Sequence, residues 1–193
     1  MGTLKTPDKA LFFISTLFSD TAVFIAACDE LEREFGNILM ESPIWPWDYS
    51  GHYSGEMGSA LCRRYLFFAV PIGQDEIATA KIKTNSIEQR FAESGRRRIN
   101  LDPGYLTLAK VVLASTKDYS HRLYLGNGIF AELTLMYQQG RFAGTINTYR
   151  DYLDERTLRV FSLGRKLFIL LFDKNRNSSA ALQLDSAEVQ SME

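Results

Sequence analysis

Between Arg96 and Arg122 the chain gathers groups able to hold an anion and to move a proton. Residues 81–122 carry nine basic and four acidic side chains, a balance of +5, whereas residues 1–62 carry three basic and nine acidic ones, −6. The whole chain nets −1, so positive charge here is a matter of placement rather than amount. Such asymmetry predicts an electropositive face. Arg98, Lys110, Lys117 and Arg122 are its candidate anion ligands. A lysine among apolar neighbours must snorkel, pair with a carboxylate or hold an anion, and arginine offers a planar fork suited to phosphate. Within Ser115-Thr116-Lys117-Asp118-Tyr119-Ser120-His121-Arg122 the imidazole of His121 is the candidate proton carrier, since that ring switches charge near neutral pH. In Asn100-Leu101-Asp102-Pro103-Gly104-Tyr105 a carboxylate falls at the carboxyl end of a strand, which makes Asp102 the second candidate acid or base. Glu132 comes from the strand facing His121–Leu125, but the alternation of its apolar neighbours turns it to solvent.

Aromatic residues form a third group. The seventeen-residue stretch 43–59 contains Trp45, Trp47 and Tyr53, with glycines at 51, 55 and 58, and reads as a long loop without regular structure. Loops of that length often close over ligands, and these rings are candidates to stack on a base or sugar. Other chemistries lack their residues. The chain has no Gly-x-x-x-x-Gly-Lys-Ser/Thr loop for phosphates, no Gly-x-Ser-x-Gly nucleophile turn and no Cys-x-x-Cys pair. Its two histidines are far apart, so no histidine or cysteine metal set emerges; a carboxylate site for magnesium drawn from Asp102, Glu132 or Glu56 stays open, and the cofactor is unknown at this stage.

These residues must be positioned by one core. The chain has 193 residues, 46% apolar and 12% aromatic, enough for one domain, expected over residues 1–176 with a frayed tail at 177–193. No apolar run approaches the ~18 residues of a membrane span. The polar start is unlike a signal peptide, and cytoplasmic location is the expectation. Cys28 and Cys62 read as core positions.

Periodicity predicts a strand at 10–19, a helix from Thr21 stopped by Gly36, strands at 37–42 and 60–70, a helix from Asp75 to Gly95, and a strand at 96–101. That order is β-α-β-β-α-β, which predicts an α+β fold with a ferredoxin-like core. Beyond it, Asp102-Pro103 favours a helix over 103–116, although Val111-Val112-Leu113 also suits a strand. His121–Leu125 and Ile129–Tyr137 form a hairpin around Gly126-Asn127-Gly128, and Asp154–Asp173 a terminal helix whose apolar end is either buried or set against another chain. The core is thus extended by a C-terminal hairpin and a terminal helix. In the second helix Lys81, Asn85 and Glu88 share a stripe and read as a surface pair.

Glu41-Ser42-Pro43, Glu56-Met57-Gly58, Lys83-Thr84-Asn85, Asn100 to Tyr105, Lys110 to Lys117 and His121 to Leu125, in that order, resemble the bacterial domain-of-unknown-function family numbered 4416, over roughly residues 8–152. The resemblance implies a protein of this length and no particular reaction. GTP binding has been ascribed to some members, and the missing phosphate loop does not support it here. Function therefore rests on the residues. The leading expectation is a protein that binds or acts on a phosphorylated small molecule or nucleotide in a basic pocket. The alternative is a non-catalytic homodimer joined through the terminal helix. Near-neutral charge and the lack of an exposed aromatic strand pattern disfavour nucleic acid as the partner.

Overall fold

The computed structural model describes residues 2–49 and 54–172. In chain order the elements are β1 (Leu11–Phe18), α1 (Thr21–Phe35), β2 (Ile38–Glu41), β3 (Trp45–Pro46), α2 (Ser54–Met57), β4 (Cys62–Phe68), α3 (Ile77–Arg90), β5 (Ile99–Leu106), β6 (Lys110–Ser115), β7 (Arg122–Gly126), β8 (Ile129–Gln138), β9 (Arg141–Gly144) and α4 (Glu155–Phe172). The fold is α+β. Its nine strands form a single antiparallel sheet of order β2-β4-β1-β5-β6-β8-β7, with β3 added to β4 and β9 to β8. It is larger than a four-stranded core with an appended hairpin.

Strand β1 lies inside the sheet between β4 and β5, and every one of its residues is buried. Alternation divides them between two cores. Phe12, Ile14 and Phe18 join Leu66, Phe68 and Leu101 beneath the α1 and α3 residues Phe24, Leu31, Ile77 and Ile87. Leu11 and Phe13 join Tyr65, Phe67 and Leu113 beneath the α4 residues Val160, Phe161 and Phe168. Helices therefore cover both faces. This is why the first strand is buried throughout and apolar apart from Ser15 and Thr16, instead of alternating.

Local signals explain most boundaries. The Asp20 carboxylate caps α1 by accepting from the amides of Ala22 (2.8 Å) and Val23 (3.3 Å). The β7–β8 turn at Gly126-Asn127-Gly128 places all three residues at positive φ, as expected for that sequence. On α4 the buried stripe is Thr157, Val160, Phe161, Gly164 and Phe168. None of the helices among the described residues is long and apolar enough to cross a membrane.

Three expectations need correction. Residues 103–116 are not helical: Pro103 belongs to β5, and 110–115 form β6. The ladder to β6 begins at Gly104, so the proline sits where one edge of β5 has no strand partner and its missing N–H breaks no β5–β6 bond. A side chain at Gly104 would strike the Phe13 ring and approach the Val112 carbonyl to 2.6 Å, so close packing requires the glycine. Arg96-Arg97-Arg98 precede β5 and form no strand: Arg96 closes the Ser94-Gly95 turn through its bridge to Glu93, and Arg97 and Arg98 lie in the irregular link to Ile99. Finally, the stretch 43–59 holds β3 and the one-turn α2. The expected tail at 177–193 lies outside the described residues.

Candidate functional site

Strands β5 and β6 are hydrogen-bonded only where Gly104–Leu106 meets Val111–Leu113. Before Gly104 on β5 and after Leu113 on β6 the two strands part, β5 staying with β1 and β6 with β8. A cavity of about 400 Å³ fills this fork. Its walls come from α3, β4, β5, the end of β6, β7, β8, the Trp47–Tyr49 segment and residues 149–152 ahead of α4.

The free edge of β5 is closed by side chains. Lys81 Nζ donates to the Leu101 carbonyl (2.9 Å) and to Asp102 Oδ1 (2.9 Å), and Glu88 Oε1 accepts from the Leu101 amide at 2.6 Å. Lys81 is 5% exposed and Glu88 4%, so the expected surface pair is in fact interior. The network continues outward. Asn100 donates to Asp102 (2.7 Å), and Arg97 donates to Asn100 (2.8 Å) and grips both carboxylate oxygens of Glu56 on α2 (2.7 Å each). Burial alone would raise the Asp102 carboxyl, but the Lys81 charge and the bonds from Lys81 and Asn100 overcome it and hold the group below its ordinary range. For Glu88 burial prevails over the same lysine, and its carboxyl is shifted upward.

Two arginines lie on the other wall, each neutralised by a buried carboxylate. Arg63 pairs with Asp151 and donates to Ser15, while Trp47 Nε1 donates to the same Asp151 oxygen (2.9 Å). Its guanidinium lies within 6 Å of the Trp47, Tyr65 and Tyr152 ring centroids. Arg122 binds Glu132 Oε2 through Nε (2.9 Å) and Nη2 (2.8 Å), and donates to Ser115 Oγ (2.7 Å), the Lys117 carbonyl (3.0 Å) and the Tyr149 hydroxyl (3.0 Å). Glu132 is 2% exposed, not turned to solvent. The face that alternation assigned to water is covered by the segment leading into α4, and a register shift across Val111–Val112 moves Leu135 onto the same side as Glu132.

Among the described residues six lining side chains are cationic (Arg63, Lys81, Arg97, Lys117, Arg122 and Arg150) and three are anionic (Asp102, Glu132 and Asp151), with Glu56 and Glu88 pairing Arg97 and Lys81 from behind the wall. Lys117 and Arg150 are exposed and have no carboxylate partner among the described residues. No cluster of three or more His, Cys, Asp or Glu able to hold a metal is found among the described residues. Burial pushes the Cys28 thiol up to about 12, which removes it as a thiolate nucleophile.

A family model, the domain of unknown function DUF4416, matches residues 8–168. The chain belongs to this family. No curated protein and no solved structure matches it. The matched span of the DUF4416 chain takes in every element from β1 to most of α4, and with them the whole cavity wall.

Of the site residues expected from sequence, Asp102, Lys117, Arg122 and Trp47 meet in this cavity. His121 sits just behind its wall, with Nε2 3.3 Å from Glu132 Oε2. Others are elsewhere. Arg98 pairs with the α1 cap Asp20 (2.5 Å) and with Glu93 (3.4 Å). Lys110 begins β6, at the end of the strand away from the fork. Trp45 is buried in the α4-side core against Tyr65, under the Arg156 guanidinium. Tyr53 lies outside the described residues.

Sequence reasoning missed Arg63, Lys81, Arg97, Glu132, Arg150 and Asp151 in the wall of the DUF4416 cavity. A signal existed for two of them. Arg63 shares a strand face with Tyr65 and Phe67, an arginine in an apolar row. Lys81 sits on the inner stripe with Ile77, Ala80 and Thr84. Asp151 has no such signature, because its partner is far away in the chain.

Proposed function

We propose that this DUF4416 protein binds a phosphorylated small molecule, with a nucleotide within that class, in the cavity at the β5–β6 fork. Lys117 and Arg150, the two lining cations without a carboxylate partner among the described residues, carry the reading. The buried cations are engaged with Asp102, Glu132 and Asp151, which leaves Lys117 and Arg150 at the mouth to meet an anion. The volume suits a ligand of metabolite size, and Trp47, Tyr49, Tyr119 and Tyr149 offer rings beside it. Asp102, half-buried and held as a carboxylate by Lys81, is the group placed to accept a proton or orient a ligand hydroxyl. We also propose that β1, α1, β2, β4, α3 and β5 constitute a ferredoxin-like core. The antiparallel order β2-β4-β1-β5 and the packing of α1 and α3 on one face support it.

Thermal unfolding with nucleotides, sugar phosphates and inorganic phosphate tests the binding. An occupying ligand at a hundred times its Kd adds about 2.7 kcal/mol of stability. Lys117→Ala and Arg150→Ala should each abolish most of the ligand-induced shift while leaving the unliganded melting temperature unchanged. A panel without any shift would refute the proposal.

A second reading, a homodimer through α4, is favoured by Leu163, Leu170 and Leu171, which remain exposed on the outer side of that helix. Sedimentation as a monomer at micromolar concentration would remove it.

A further inference from the structure

Arg122 organises the mouth of the cavity. Its guanidinium, neutralised by Glu132, donates to Ser115 Oγ, to the Lys117 carbonyl and to the Tyr149 hydroxyl, and lies over the Tyr119 ring at 4.6 Å from its centroid. One buried side chain thus fixes two segments that are distant in the chain, 115–119 and 149–150. Each segment brings one cation and one ring to the wall, Lys117 with Tyr119 and Arg150 with Tyr149. Both cations are exposed and lack a carboxylate partner among the described residues. Tyr119 is 47% exposed and Tyr149 48%, so a ligand can reach both rings while Arg122 holds them from behind. A ring fixed before binding loses little freedom when a second ring stacks on it.

Resting on the anion-binding reading above, we propose that the ligand is a nucleoside monophosphate: its phosphate meets Lys117 and Arg150, and its base lies flat on the face of Tyr119 that Arg122 leaves open. The charges match. Lys117 and Arg150 each contribute one positive charge, and a phosphomonoester carries about −1.5 to −2 at neutral pH. The other cations of the wall are already paired with Asp102, Asp151, Glu132 and Glu56, so no further positive charge waits for a second or third phosphate. The rings account for the base. A sugar phosphate alone would satisfy the two cations and leave the exposed tyrosines without use. The cavity of about 400 Å³ is in the range of sites for single small molecules.

Titration calorimetry on the full chain separates these claims, using adenosine, guanosine, cytidine and uridine 5′-monophosphates against ribose 5-phosphate, which keeps the phosphate and sugar without a base. At least one monophosphate should bind about ten-fold tighter than ribose 5-phosphate. Its triphosphate should bind no tighter than the monophosphate. Lys117→Ala removes only the ammonium, since Arg122 holds the backbone carbonyl, and should weaken both kinds of probe while leaving their ratio intact. Tyr119→Ala should bring the ratio close to one, and Tyr119→Phe should preserve it. Equal affinity for the monophosphates and ribose 5-phosphate would overturn the stacked base and leave the anion site standing, while no binding of any probe would overturn both. A ratio that survives Tyr119→Ala would refute Tyr119 as the platform, and a triphosphate more than about ten-fold tighter would refute the charge match. Should Tyr119→Ala fail to melt cooperatively, the comparison of monophosphate with ribose 5-phosphate on the wild type still decides the presence of a base.

Discussion

Glu88 on α3 accepts the main-chain N–H of Leu101 at 2.6 Å, in the place where a neighbouring strand would otherwise bond β5. Lys81, two turns earlier on the same helix, takes the Leu101 carbonyl. The helix thereby substitutes for a strand along the part of β5 that β6 has left, and the cavity exists because of that substitution. Glu88→Leu should cost about 1–3 kcal/mol, since it leaves a buried amide without an acceptor. Glu88→Gln keeps an acceptor and should cost less. Urea denaturation at pH 7 measures both.

The two carboxylates on Lys81 act in opposite directions with pH. Asp102 has its pKa lowered, so its contribution is complete above the ordinary value of 3.8 and is lost as pH falls through the folded value. Glu88 has its pKa raised, so its contribution is complete below 4.5 and is lost as pH climbs through the folded value. As pH climbs above 4.5 the wild type should therefore lose stability from Glu88, and Glu88→Gln should show a flatter profile over that rise. Identical slopes in urea titrations of the two proteins would contradict the assignment.

Arg63 is 4% exposed and depends on Asp151 for its countercharge. Asp151→Ala should destabilise by about 3–5 kcal/mol, the cost of an uncompensated buried cation. Replacing both partners, Arg63→Met with Asp151→Leu, should recover much of that loss. The Trp47 near-ultraviolet signal should change in the single variant, because its indole N–H also donates to Asp151.

Gly104→Ala should destabilise by about 1–3 kcal/mol, because the added methyl meets the Phe13 ring and a backbone carbonyl that cannot move without disturbing the β5–β6 ladder. Chemical denaturation checks the magnitude.

The first half of the chain was readable because its signals are local. Asp20 before Thr21, Gly36 after Phe35 and the apolar run from Ala10 set their elements with no help from tertiary contacts. Residues 103–116 misled for a physical reason: Asp102-Pro103 is the sequence of a helix start, and only the parting of β5 and β6 makes room for proline inside a strand. Charge asymmetry led to Lys117 and Arg122 but also to Arg98, whose partner Asp20 is a helix cap that composition cannot pair with it. Glu132 was misplaced because alternation shows which residues share a face and says nothing about whether that face is covered.

Burial of β1 on both sides also bears on how the protein is made. Phe13 is next to Phe67 and Gly104 in the sheet, and Phe161 of α4 packs edge-on against its ring. Synthesis delivers these partners one after another, and α4 is the last of the described elements to leave the ribosome. Until then the nascent chain presents a row of phenylalanine and leucine with nothing over it, a surface that invites aggregation or chaperone capture. Such distant pairings also make for slow folding. High-level expression should therefore tax the cell's folding machinery even though the finished molecule hides that surface completely.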